Sequence, residues 1–523
     1  MSDATSVSPA ASPYVSSLPP GDDGFGHLLR AEWTKFRTVR GWLIGMLAAS
    51  AVIVLLGLTS AAGSTTSCSN GPVEVPCPAP VIGPGGEAVN DKLYLVHRPL
   101  TGDGSITVRV GRLSGEITYP PPDFDKIVPG VVPWAKAGII VKEGTTQGSP
   151  YAALMITGGH GVRMQYDYVH DLAARGDPAP DGPRWLRLTR VGDELTGAES
   201  VDGVSWTTVG SARLDGLPAT VRIGMFVTSP CDLSVQQNDL GGSIGQCRFT
   251  QLHAVFDHVG VQGSVPAGDW ARDDVGADPG HHPGNVQQTA DGFTLTGSGD
   301  VGPQGAEGPT SENTLVGTLA ALVLVIVVAV ATITVEYRRG LIRTTLLAGP
   351  RRGRLLPAKA LVVGVAGLVA GLVGAGVAMP LGLAVLRAGG NQPVPATLVT
   401  QLRLVLGVGL LLGLTAVLAL ALGSLLRRSV PAVAAAIGLV VLPYLLATAS
   451  VLSADAARWL LRLTPAAGFA ILQSVPAYPQ VIANYAPSAG YYPLPPWGGL
   501  AVLCGAAALA LGLAVRRLRR GDA

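Results

Sequence analysis

The chain has 523 residues and a net charge of +2, with 48% hydrophobic and only 14% charged residues; a soluble globular protein carries roughly 25% charged residues. So small a net charge argues against a nucleic-acid partner, which calls for a basic face. The length exceeds one ordinary domain, and the charge deficit is confined to six stretches.

From the start, residues 1–27 form a cytoplasmic tail, predicted to be disordered because Ser, Pro and Ala dominate before Asp22. Residues 28–62 comprise an interfacial helix and the first span. In Leu28 to Arg40 the apolar and basic residues separate at helical spacing, as on a membrane surface; a solvated basic flank is the plainer alternative. Trp42 to Ala62 is long and apolar enough to cross a bilayer, which takes about 20 residues. Ser60 and Ala62 also permit a signal-peptide cleavage site, but the run is longer than a signal core and about forty residues precede it, so an uncleaved anchor is expected.

Residues 63–314 change character. Gly, Asp, Thr and Val dominate, and short alternating runs recur: Ser105 to Val110, Gly138 to Lys142, Tyr151 to Thr157, Trp185 to Arg190, Ser205 to Val209, Val221 to Val227 and Phe293 to Thr296. Gly158-Gly159 and Asp202-Gly203 supply turns between them. Many short strands at this spacing predict an all-β sandwich. Four of the five cysteines lie here, at Cys68, Cys77, Cys231 and Cys247. An even number in one region predicts disulfides. Three connectivities are open, and loop closure weakly favours Cys68–Cys77 with Cys231–Cys247. Cys504, in the last span, is expected to be a small packing residue. His160, His170, His281 and His282 match no metal-ligand spacing, so no metal and no cofactor is expected.

Residues 315–523 hold five further spans: Leu315 to Val335, Ala360 to Leu386, Leu404 to Leu426, Val430 to Leu452 and Trp497 to Val515. No span interior carries Asp, Glu, Lys, Arg or His. Glycine is frequent in the third and fourth spans, consistent either with close helix approach or with its general abundance in such helices. Lys and Arg flank the spans in alternate connections: Arg30 to Arg40, Arg338 to Lys359, Arg427 and Arg428, and Arg516 to Arg520. By the positive-inside rule these are cytoplasmic, so both termini lie inside and residues 63–314 lie outside, on a bacterial plasma membrane protein with six passes. The fold class is therefore a six-span α-helical bundle with an extracytoplasmic β-sandwich between the first and second spans.

Two resemblances add to this reading. The segments AKAGIIVKE, GSPYAALMITGGHGVRMQY, PRWLRLTRVGDELTGAESVDGVSWTTVG and PATVRIGMFVTSP look like the laminin-G-like, concanavalin-type jelly-roll domains of bacterial surface proteins. In that fold Trp185 and Trp206 are core or sheet-face residues, or a candidate ligand face for sugar stacking. No closely spaced acid triplet of a jelly-roll glycosidase is found. Outside this segment, EWTKFRTVR, EYRRGLIRTTLLAGPRRGRLLPAK and WLLRLTPAAGFAIL resemble permease subunits of type-2 ATP-binding-cassette exporters, the actinobacterial kind in particular. The resemblance implies a cassette ATPase partner, a second permease copy, a surrounding lipid bilayer and a re-entrant helix from Leu460 to Leu472. The chain has no P-loop to hold ATP, so hydrolysis is expected in the partner and not here.

The loop 336–359 is the candidate coupling element, with Glu336, Tyr337, Arg338, Arg339, Gly340, Arg343, Arg351 and Arg352 as partner-binding residues. Charges of both signs fix register on a partner, whereas arginines alone would equally serve topology and anionic lipid. Two other functions stay open. One is a non-transporting, membrane-anchored surface receptor or glycan-binding protein; the other is a tethered glycan enzyme.

Overall fold

The computed structural model describes residues 24–119, 125–175, 182–237, 243–277, 282–306, 308–341 and 352–520. Most of the tail expected to be disordered lies outside them. Helix α1 (Phe25–Thr38) turns Glu32 and Phe36 inward, one helical turn apart, and leaves Arg30 and Arg37 exposed. At Val39 the backbone becomes extended, and α2 (Arg40–Ala62) starts at once.

Strands then occupy the chain from Cys68 to Pro303, before α3 (Thr318–Arg338), α4 (Arg352–Ala388), α5 (Leu398–Leu426), α6 (Ser429–Thr448), α7 (Ala454–Leu463) and α8 (Pro496–Arg520). Six helices are long and apolar enough to cross a membrane: α2, α3, α4, α5, α6 and α8.

The β region is built on one antiparallel sheet of 16 strands. The strand Leu93–Val110 is its spine, pairing with Arg184–Val191, Thr220–Thr228, Ser243–Ser264 and Ala271–Val275. The sheet folds back on itself. Gly197 approaches Leu154 and Met164, to whose strands its own is not paired, and an added Cβ there would lie 3.2 Å and 3.1 Å from them. Between the layers lies a core that includes Ile106, Val108, Ile139, Leu154, Leu186, Leu188 and Phe256. The alternation of Arg184–Val191 follows from this: Leu186, Leu188 and Arg190 point in, while Trp185, Arg187 and Thr189 point out.

Lys136–Lys142 and Tyr151–Thr157 are buried along their whole length, because a second cluster covers their other face with Tyr151, Ala153, Met155, Tyr168 and Phe226. Two lysines are carried into this interior with partners. Lys142 Nζ lies 2.8 Å from Asp91 Oδ2 and 3.0 Å from the Tyr168 hydroxyl; Lys136 Nζ lies 2.9 Å from Asp300 Oδ1. Burial lowers the Lys142 pKa, against the pull of Asp91. The sulfurs pair as Cys68–Cys77 and Cys231–Cys247.

Several expectations need correction. Ser205 and Trp206 lie ahead of their strand, which runs Thr207–Arg213, because the Asp202 carboxylate accepts the amides of Val204 and Ser205 and holds a turn. Leu460 to Leu472 is not one helix. Pro465 disfavours helical backbone at the residue before it, so Thr464 is extended and a buried 3₁₀ segment, Pro465–Leu472, follows. Cys504 is exposed on α8 and is not a packing residue.

Glycines set the α4–α5 contact. A Cβ on Gly371 would lie 2.7 Å from the Gly409 Cα, and one on Gly413 would lie 2.8 Å from the Gly364 carbonyl. Here the close-approach explanation holds.

Candidate functional site

The site begins where helix ends meet at the pole of the bundle away from the β region. The last turn of α3 carries Glu336, the first turns of α4 carry Lys359, and α1 lies across both. Lys359 Nζ reaches Glu32 Oε2 at 2.5 Å and Glu336 Oε1 at 2.9 Å, and Lys35 also pairs with Glu336. The side chains of Glu336, Lys359 and Glu32 are 2%, 3% and 7% exposed, whereas that of Lys35 is 33% exposed. Two carboxylates and two ammonium groups balance, which makes burial tolerable. On the same segment the Trp33 and Phe36 rings stack with centroids 6.2 Å apart, and Trp42 lies tilted to Phe36 at 6.0 Å.

The Glu336 carboxylate is enclosed, and what it binds is α1 and α4 of the same chain. Tyr337 is half-buried; its hydroxyl lies 3.3 Å from Ser424 Oγ, and the Arg427 guanidinium stands 5.4 Å from its ring. Arg338, Arg339 and Gly340 are exposed just past the quartet. Arg343 and Arg351 lie outside the described residues. Arg352 opens α4, and its side chain also lies outside them. The α8 end joins the same pole, where Arg517 donates to the Leu425 carbonyl at 2.5 Å. Sequence reasoning passed over Glu32 and Lys35 as flank and Lys359 as a topology signal. The signal available was acid and base together in Glu32-Trp33-Thr34-Lys35, an unusual choice for a purely positive flank.

At the other pole the β region rests on the helices. The Ala306 amide donates to the Tyr491 hydroxyl at 2.9 Å, Gln480 to the Val169 carbonyl at 3.1 Å, and Asn391 to the Ser64 carbonyl at 2.6 Å. Ala88, Val394 and Val475 form a small apolar seam between the parts.

Trp185 is half-buried on the outer sheet face, and Trp206 is half-buried just ahead of the strand Thr207–Arg213. The Arg187 guanidinium covers Trp206 at 3.8 Å, and Trp185 packs under the Gly203 turn and against His258 at 5.0 Å. Both rings are partly occupied by the chain itself. A pocket of about 440 Å³ nearby is lined by His160, Arg163, Arg184, Glu199 and Asp202, among others, and by neither tryptophan. Among the described residues no three metal-capable side chains converge.

Six membrane-length apolar helices with a charge-paired, arginine-fringed pole define a multipass membrane protein. The chain belongs to the ABC-2 family of transporter proteins, whose family model matches residues 201–523. It is thus a membrane permease of ABC transporters, a class that works with an ATPase partner. No curated protein matches the sequence.

Among solved structures, the chain is similar to a functionally unknown protein from Saccharomyces cerevisiae: 15% identity, 39% of this chain and 93% of that one, TM-score 0.21. It is also similar to the GH43 protein BlXynB from Bacillus licheniformis, at 15% identity and TM-score 0.19, over 31% of this chain and 28% of that one. A mutant of that protein matches over the same shares, at 14% identity. Likenesses this slight carry no argument about the fold.

Proposed function

We propose that this chain is one permease half of an ATP-driven exporter, with residues 63–314 as an accessory β domain of jelly-roll type on the outer surface. It sits in a bacterial plasma membrane with both termini inside. It pairs with a second permease copy, and a cassette ATPase docks on the arginine-fringed pole. The observation that carries the reading is the gathering of basic flanks at one pole while the β region sits at the other. Contacts between Lys35 and Glu336, Lys359 and Glu32, Tyr337 and Ser424, and Arg517 and Leu425 bring those ends together. In a membrane such a charge asymmetry orients the bundle. The span interiors hold no ionisable side chain, which disfavours ion-gradient coupling and leaves ATP as the energy source.

The loop 336–359 remains the coupling element, with a changed division of labour. Arg338, Arg339 and Gly340 form its exposed docking edge. Glu336 is a positioning residue that transmits movement to α1 and α4. Affinity purification of the full chain from its native membrane, with identification of what accompanies it, tests the reading. A cassette ATPase is expected in about equal amount; purified chain without any ATPase would overturn it.

A further inference from the structure

Beside the β region, the outer pole contains a cavity of about 460 Å³, within the size range of small-molecule sites. Its walls come from separate parts of the chain. Thr310 and Glu312 belong to the segment leading out of the β region, Tyr444 to the end of α6, Phe469 to the 3₁₀ segment, and Gly490 and Tyr492 to the loop before α8. Tyr444 and Phe469 stack at 3.8 Å, and the hydroxyls of Tyr492 and Tyr444 are hydrogen-bonded.

One wall is thus aromatic, and the other carries a half-buried carboxylate. Glu312 Oε2 accepts from the Ser474 hydroxyl. Among the described residues no basic side chain ion-pairs with Glu312. Arg403 is near enough to feel its charge, yet donates to the Gln473 carbonyl at 2.5 Å. An acid in the first turn of the helical segment Ser311–Leu315 has a structural use, since negative charge is favoured at a helix start. That use is met equally by a fully solvated side chain. It does not require a cavity, nor aromatic rings opposite.

We propose that this cavity binds an organic cation with apolar flanks, the Glu312 carboxylate holding the charge and the Tyr444, Phe469 and Tyr492 rings holding the body. Aromatic rings attract cations electrostatically, and a carboxylate in a partly dry cavity gains more from a cation than it would in water. The cavity opens where the β region meets the bundle, so this cation class is the expected cargo at its exit. That last step rests on the export reading; the site itself does not.

The test uses the full chain in nanodiscs, without ATPase, and equilibrium dialysis of tetraphenylphosphonium. Empty nanodiscs measure partition into lipid, and tetraphenylborate supplies the same shape with opposite charge. Saturable binding of the cation above the lipid background is expected, with no such binding of the anion. Glu312→Gln should weaken cation binding at least tenfold. No saturable cation binding, equal binding of the anion, or unchanged affinity in Glu312→Gln would overturn the proposal. The cation–anion comparison on the unaltered chain holds even if the variant folds poorly. Cation binding by a chain that recruits no ATPase would sink the export reading and leave the site standing. ATPase recruitment without cation binding would do the reverse.

Discussion

Lys359 and Glu336 stand 23 positions apart and meet because the end of α3 and the first turns of α4 converge at one pole, although the two helices pack mainly on α2 and α5 and not on each other; Glu32 joins them from more than 300 positions away. Removing one member of such a buried set strands the others. Lys359→Met strands the buried Glu32 without a cation and leaves Glu336 only the partly exposed Lys35, and breaking a buried pair costs about 3–5 kcal/mol. The variant should unfold in detergent at clearly lower temperature than the unaltered chain. Neutralising the acids as well, in Glu32→Gln with Glu336→Gln and Lys359→Met, should recover most of the loss, since the penalty belongs to the stranded charge. Single and triple variants melting like the unaltered chain would contradict this.

At residue level an acid among arginines singled out Glu336, and the structure encloses its carboxylate against α1 and α4. An acid among arginines signals a specific partner, but a linear reading cannot tell a second protein from α1. Trp185 and Trp206 stood out in the sequence as core or sheet-face residues, whereas the Arg187 guanidinium over Trp206 did not, because side-chain stacking depends on register. Glu312 gave no signal at all. It lies outside the apolar run Leu315 to Val335, and its cavity is assembled from segments far apart in the chain.

Among the elements, the helices were the most legible, since an uncharged run of this length has few alternatives. Their ends moved by a turn or two: α4 begins at Arg352 and not Ala360, because helix persists past the hydrophobic boundary. In the β region Gly138 to Lys142 and Tyr151 to Thr157 read as short alternating runs, and the structure shows strands buried on both faces. The long strand Ser243–Ser264 was missed, because its residues alternate only in part and it changes partners along its length. Glycine in the helices left two readings that only packing separates. Gly371 lies against Gly409, so Gly371→Leu forces α4 and α5 apart. Overpacking of this kind costs about 1–3 kcal/mol. The variant should enter the membrane in normal amount but melt earlier and aggregate during purification. Gly376→Leu, at a position where an added Cβ meets Val405 only at 3.9 Å, should have a much smaller effect. Equal behaviour of the two would mean that close approach is not what these glycines provide.

For the whole molecule, the two poles do different work. At one, the β region is joined to the bundle through Ala306–Tyr491, Gln480–Val169 and Asn391–Ser64, in which Tyr491, Gln480 and Asn391 lie on the loops between helices. At the other, α1, α3 and α4 are bound by charge. In the proposed function this second pole receives the work of an ATPase. ATP turnover of the copurified complex in proteoliposomes, comparing the unaltered chain with Arg338→Glu plus Arg339→Glu, tests this. The unaltered chain should bind and stimulate the ATPase, and charge reversal should abolish both while leaving the chain folded and inserted. Equal turnover with both chains, or ATPase activity indifferent to the presence of either, would contradict it.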